Sequence, residues 1–252
     1  AGRYRRGAIV SDDSGTGTGA RMAVYQALNS IEDYLLDGYH SGRPVPEFAI
    51  QEYAGIDEAT TSGVPANDSL DAIAAEAMRC QRCRLSAGRN RVVPGQGSSR
   101  PLVMVIGEGP GSEEDKTGLP FVGPAGQLLN RMLAAIDLSR DTNCFIGNIV
   151  KCRPPMNRDP APDEQTACMP YLDRQIALLR PRAFLAVGRI PAQALLGVKD
   201  GIGKLRGRVH QFRGLPLIAT YHPSALLRDE SLKRPAWEDL KLLKSILDDG
   251  SR

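Results

Sequence analysis

No stretch of this sequence approaches the roughly 18 consecutive apolar residues of a membrane-spanning helix, so no membrane association is expected. Strong charge of either sign is also missing. Against 29 Asp and Glu stand 32 Lys and Arg, a formal net charge of +3 over 252 residues. Binding to nucleic acid therefore needs a local basic patch rather than a global field. The opening residues, Ala1-Gly-Arg-Tyr-Arg-Arg, carry no secretory-signal pattern. Without such a signal, five cysteines argue against a disulfide framework, because the number is odd and the chain is long. The expected compartment is a reducing cytoplasm. A dinucleotide fingerprint is absent too: Gly107-x-Gly109-x-Gly111 lacks the G-x-G-x-x-G spacing, which leaves no flavin or nicotinamide site in view.

What is present can build an ordinary core, since 42% of residues are hydrophobic. Residues 1–67 read as an N-terminal extension. Its first 20 residues are rich in Arg, Gly, Ser and Thr and predict disorder. An amphipathic helix follows from Ala20 to about Gly38, with Tyr25, Leu28, Leu35 and Tyr39 on one stripe. Residues 41–67 mix Pro, Gly, Ser and Thr without a period and read as a linker.

The compact domain spans residues 68–252. Asp68 or Ser69 caps a helix running towards Cys80. Four apolar strand candidates then alternate with helical patterns: Leu102–Ile106, Cys144–Val150, Ala183–Val187 and Leu215–Thr220. Helices are predicted over Gly126–Ile136, Asp163–Leu179, Pro191–Leu196 and Ala236–Leu247. The alternation predicts an α/β fold, a three-layer α/β/α sandwich around a central four-stranded parallel sheet. Ligands of such sheets bind at the carboxyl ends of the strands. Four polar segments sit there: Gly107–Gly111, Asn148–Lys151, Gly188 and His222–Ser224.

Four of the five cysteines have the look of a metal-ligand set. Cys80 and Cys83 form C-x2-C, Cys152 follows a strand, and Cys168 lies inside the next helix. A 4Fe-4S cluster takes four thiolates and zinc can use the same four sulfurs, so the spacing alone leaves both open. Cys144, inside an apolar strand, reads as a core thiol. A metal that staples distant segments beside a separate set of Glu, Asn and His suggests a structural metal in an enzyme.

The sequence resembles the iron–sulfur uracil-DNA glycosylases, usually called family 4, over roughly residues 75–247. The matching stretches are Gly107-Glu-Gly-Pro-Gly-Ser-Glu-Glu-Asp115, Thr117-Gly-Leu-Pro-Phe-Val-Gly-Pro-Ala-Gly-Gln-Leu-Leu129, Asn148-Ile-Val-Lys-Cys-Arg-Pro-Pro155 and Tyr221-His-Pro-Ser-Ala-Leu-Leu-Arg228. The resemblance implies hydrolysis of the N-glycosidic bond of deoxyuridine, with uracil-containing DNA as partner and base excision repair as pathway. It also implies a structural 4Fe-4S cluster on Cys80, Cys83, Cys152 and Cys168. A monomer is expected, and the sequence names no protein partner.

Roles follow from the same resemblance. The base must leave the helical stack to be reached. Phe121 matches the family's uracil-stacking aromatic, and the backbone amides of the loop bearing Gly107 and Gly109 could hold a phosphate or the uracil edge. Asn148 can offer an amide and a carbonyl together to uracil O4 and N3–H. His222 would donate to uracil O2 as the base departs as an anion. Glu108 would position water or stabilise the sugar cation, with Glu114 a possible second. The best-known uracil glycosylases carry an Asp where this chain has Gly109. Ser224, Leu226, Leu227 and Arg228 are expected at the DNA, a leucine wedging the vacated gap and Arg228 reaching phosphate. Lys151, Arg153, Lys204, Arg206 and Arg208 could widen a basic face.

Three other readings compete: a non-enzymatic iron–sulfur DNA sensor, a small electron carrier, and a family 4-like protein that forms a covalent DNA adduct. The first has no need of Asn148 and His222 together. The last is disfavoured because no His stands between residues 41 and 209.

Overall fold

The computed structural model describes residues 68–249, so the predicted tail, helix and linker of residues 1–67 lie outside the described residues. Six strands form: β1 (Gln96–Gly97), β2 (Val103–Gly107), β3 (Cys144–Asn148), β4 (Ala183–Val187), β5 (Val209–Phe212) and β6 (Leu215–Thr220). They make one sheet in the order β1-β3-β2-β4-β6-β5. The four apolar runs are its parallel centre, as the alternation predicts.

Two antiparallel edge strands were not expected. β1 has only two residues, and β5 is a half-exposed edge, so neither carries a continuous apolar signal. β5 and β6 join through Arg213 and Gly214, both at positive φ (54° and 74°), the backbone that a two-residue hairpin turn requires.

Among the described residues eight α-helices flank the sheet: α1 (Leu70–Met78), α2 (Ser112–Thr117), α3 (Pro124–Ala134), α4 (Pro162–Leu179), α5 (Arg189–Leu196), α6 (Ile202–Leu205), α7 (Pro223–Arg228) and α8 (Lys233–Asp249). Side-chain alternation along the strands sorts the core into two slabs. Val103 and Val105 pack with Leu129 and Leu133 of α3 and Leu240 and Leu243 of α8. Met104 and Ile106 turn the other way, onto Leu172 and Ile176 of α4 and Ala192 of α5. Three layers result. Among the described residues no helix is long and apolar enough to cross a membrane.

Strand order places the working edge. The chain leaves β2 for β3 on one side, and α4 then carries it back to β4 on the other side of β2. Crevices form where the order reverses in this way, outside the carboxyl ends. Register aligns those ends, with Gly107 beside Asn148 and Val187 beside Thr220.

Side-chain ties then lock the helix that carries Cys168. Ser69 caps α1, accepting from the Ala72 amide at 3.0 Å. Arg174 of α4 reaches both carboxylate oxygens of Asp68, at 2.7 and 2.8 Å, and also pairs with Glu76 of α1. Glu164, fully buried in the first turn of α4, accepts from Arg84 (2.8 Å), Arg158 (2.6 Å) and the Ala161 amide (2.7 Å). One carboxylate thus joins the segment after Cys83, the proline-rich loop and α4.

The Arg158 hydrogen bond is the main reason that the Glu164 carboxyl is held down to about 2, from an ordinary 4.5. A depressed acid stabilises the fold above its unfolded pKa and loses that contribution as pH falls through the folded value. Replacing Glu164 by Gln should therefore lower the urea midpoint near neutral pH. The gap between the variant and wild type should close as pH falls from about 4.5 towards 2. Urea midpoints of both proteins across that range test this, and a gap independent of pH would show that the charge is not what matters.

Candidate active site

The site begins where β2 ends. Gly107 is buried there because it must be: a Cβ on it would lie 2.4 Å from Asn148 Oδ1 and 2.6 Å from the Phe121 ring. Strand end, amide and ring therefore meet at one point. The Phe121 ring in turn lies 5.7 Å from the His222 ring, tilted by 33°. So Gly107, Phe121, Asn148 and His222, four positions spread over 116 residues of sequence, come together. Gly109, two residues on, packs instead against Val150 and Pro154, where a Cβ would lie 2.8 Å from Val150 Cγ2.

Asn148 is 1% exposed, and its Oδ1 is buried with no hydrogen-bond partner among the described residues. A buried carbonyl left without a donor costs about 1–3 kcal/mol, and such groups are rare in native proteins. Beside the Phe121 ring, Asn148 Oδ1 is free to accept from an N–H donor.

His222 is the N-cap of α7, and its Nδ1 accepts from the Ser224 amide at 3.1 Å. An Nδ1 that accepts leaves the ring proton on Nε2, which becomes a donor towards the pocket. Ser224 Oγ lies 2.8 Å from the same Nδ1. Burial, aided by the nearby Arg228 charge, pushes the imidazole pKa down to about 4. At neutral pH the ring is therefore a neutral Nε2–H donor. Behind it, Thr220 at the end of β6 donates to buried Asp239 at 2.7 Å. Asp239 also accepts from Arg206 at 2.9 and 3.0 Å, and the Arg206 guanidinium covers the Tyr221 ring at 5.5 Å. That network fixes the two residues before His222.

Glu108 is half-buried at the mouth of β2. Desolvation, with Asp159 nearby and Arg189 opposing, raises its carboxyl to about 7. It is poised between charge states at neutral pH, as a general base or water-positioning acid needs. Glu114 has another occupation. Its Oε1 accepts from the backbone amides of Val122 (2.9 Å) and Gly123 (3.0 Å), which binds it to the loop that carries Phe121. Arg140, which no local pattern singles out, holds the same loop from the far side through the carbonyls of Pro120 and Phe121.

Helix α7 separates the two leucines. Leu226 is 2% exposed and packs in the core one turn beyond buried Pro223, not on the surface where a DNA contact is expected. Leu227, 48% exposed, faces solvent with Arg228. The basic face needs two corrections. Lys151 is wholly buried, donating to Asn148 O at 3.0 Å and Gln175 Oε1 at 2.8 Å, and Arg206 is committed to Asp239. Both had been expected on the surface, but neighbours supply all their acceptors inside. Arg208 and Lys204 do face solvent.

Cys80, Cys83, Cys152 and Cys168 line one recess together with Tyr171 and Arg89. Three N–H groups point at their sulfurs: the Lys151 amide at Cys168 (3.2 Å), Arg89 at Cys152 (3.3 Å) and the Arg82 amide at Cys80 (3.5 Å). Donors of this kind stabilise negative sulfur. Among the described residues, no three His, Cys, Asp or Glu side chains converge on a single ion. Cys144 stays in the core, and burial raises its thiol to about 12.

Comparison with known proteins bears on the same residues. The family model described as the uracil DNA glycosylase superfamily matches residues 94–241. A type-4 uracil-DNA glycosylase of Saccharolobus solfataricus is 44% identical over 189 residues, 71% of this chain and 87% of that protein. One from Thermotoga maritima is 40% identical over 182 residues, 71% of this chain and 94% of its own length. A type-5 uracil-DNA glycosylase of Thermus thermophilus is 33% identical over 157 residues, covering 53% of this chain and 69% of that protein.

The geometry around His222 makes its own prediction. In ¹H–¹⁵N spectra that correlate ring protons with ring nitrogens, His222 should keep the Nε2–H pattern from pH 8 down to about 5. It should titrate only near 4. A shift centred near 6.5 would show that the ring is solvated and not held by Ser224.

Proposed function

The chain belongs to the uracil DNA glycosylase superfamily and, within it, to the type-4 uracil-DNA glycosylases; on that premise we propose how its own residues excise uracil from DNA. The observation that carries the assignment is the buried, unpartnered carbonyl of Asn148 beside the Phe121 ring and the His222 donor.

A uracil turned out of the helix enters over Gly107 and stacks on Phe121. Asn148 Oδ1 accepts from N3–H while its amide donates to O4. Cytosine presents the opposite pattern and leaves buried groups unpaired, a mismatch worth on the order of ten-thousandfold in rate where a site is built on hydrogen bonds. As the bond from C1′ to N1 breaks, its electron pair leaves with the base and charge gathers on O2. His222 Nε2–H meets that oxygen. Because the bond strengthens as the charge grows, it favours the transition state over the bound substrate. Glu108 holds the water that attacks C1′ and takes its proton. Ser224 and Arg228 contact the DNA backbone, and Leu227 alone of the two leucines fills the gap left by the flipped nucleotide.

Cys80, Cys83, Cys152 and Cys168 fit a 4Fe-4S cluster. They line one recess together, and four thiolates, one per iron, are what such a cluster takes. When bound, the cluster supplies structure, tying the segment after α1 to the β3 exit and α4.

The test is strand cleavage after alkali on oligonucleotides carrying one uracil, as U·G, U·A and single strand. Wild type should cleave at the uracil and release free base. Asn148→Ala should lose at least about a hundredfold in rate while still binding DNA. Equal loss of binding and cleavage would favour a mere DNA-binding module. The pH profile should rise through about 7 with Glu108 in place. In Glu108→Gln that limb should vanish along with most activity. Purified under argon, the protein should hold about four iron and four sulfide per chain. Cys83→Ala should bleach it and lower its melting temperature, and a colourless variant of unchanged stability would sink the structural role.

A further inference from the structure

The proposed chemistry uses the face of Phe121 and says nothing of what aims it. Phe121 sits at φ 52°, in the left-handed region that residues with side chains rarely adopt. Such a conformation persists only where the surroundings over-determine it. Here they act on both sides of one loop. On the carbonyl side, Arg140 Nη1 donates to Pro120 O at 2.8 Å and Nη2 donates to Phe121 O at 2.9 Å. The same guanidinium is itself braced on Asn130 Oδ1, at 2.8 and 3.1 Å, within α3. On the amide side, Glu114 Oε1 takes both Val122 and Gly123, at 2.9 and 3.0 Å. Beneath, α3 lies directly on this peptide, since a Cβ on Gly126 would come within 1.9 Å of Phe121 O.

We infer that Arg140, opposed by Glu114, is a positioning residue that clamps the Phe121 loop and sets the ring against the incoming base. The inference rests on the reading of Phe121 as the stacking face. It also moves Glu114 from the chemistry to the clamp. The residue types suit the task. Two successive carbonyls need two donors in a fixed plane, which a guanidinium provides and an ammonium does not. Two successive amides need one oxygen acceptor and no particular charge.

The test is a kinetic cycle on a uracil-containing duplex with Arg140→Ala, Arg140→Lys, Phe121→Ala and the two double variants. Arg140→Ala should lower kcat/KM by about 10- to 100-fold, the scale of a misplacement near 1 Å. Arg140→Lys should recover only part of that. The decisive readout is the double variant: if Arg140 acts through the ring, removing both costs no more than about twofold beyond Phe121→Ala alone. Losses that multiply would overturn the clamp, as would a fully active Arg140→Ala beside an impaired Phe121→Ala. Full activity of Phe121→Ala would instead show that the stacking reading has failed. Should Arg140→Ala not fold, Arg140→Lys runs the same cycle. For Glu114, the Gln variant keeps the oxygen and should retain at least about a third of the rate, whereas Ala should lose about tenfold. A Glu114→Gln variant as poor as Glu114→Ala would return that carboxylate to the chemistry.

Discussion

A buried ammonium holds the two halves of this enzyme together. Lys151 lies between Asn148 and the cysteine recess, and its ammonium, amide and carbonyl are all engaged. Its Nζ donates to the carbonyl of Asn148 and to Gln175 of α4, its backbone N–H meets Cys168 Sγ, and its carbonyl accepts from Val93 at 2.8 Å. Gln175 passes the tie onward to Pro94 O at 2.8 Å. Three segments that meet nowhere else in sequence are thereby set in one register. Desolvation drives the Lys151 pKa down to about 8, with the nearby Cys168 sulfur opposing the shift. The strand that offers Asn148 and the helix that offers Cys168 cannot shift independently while that bond network stands.

Within the pocket, burial does the electrostatic work more than any ion pair. The same desolvation that keeps His222 uncharged lifts Glu108 towards neutrality. Each group is thereby held in a defined form: an imidazole without positive charge, and a carboxyl that can gain or lose a proton near pH 7. The low local dielectric that shifts both also strengthens the hydrogen bonds they make.

Legibility in the sequence followed the range of the interactions. Apolar runs located the four central strands to within two residues, since a strand buried on both faces announces itself locally. The cysteine spacing and the Gly-, Asn- and His-bearing strand ends were readable for the same reason. Arg140, Arg89 and Glu164 were not, because what they hold lies 19, 63 and 80 residues away. Leu226 and Leu227 needed a different fact, the short helix at Pro223–Arg228. Its phase puts Pro223 and Leu226 inward at i and i+3 and leaves Leu227 outside. Lys151 was misplaced because a lysine beside a cysteine at a strand end gives no sign of the glutamine, 24 residues on, that receives it.

The orphaned carbonyl of Asn148 bears on how the lineage can change. An apolar residue of similar volume at this point would relieve a buried, unpaired oxygen and make the fold more robust to heat. Selection for robustness alone therefore runs against the site, and so does relaxed selection for repair. A descendant freed from that selection could harden here while keeping the sheet, the cysteines and the α4 ties, since none of them depends on the Asn148 side chain.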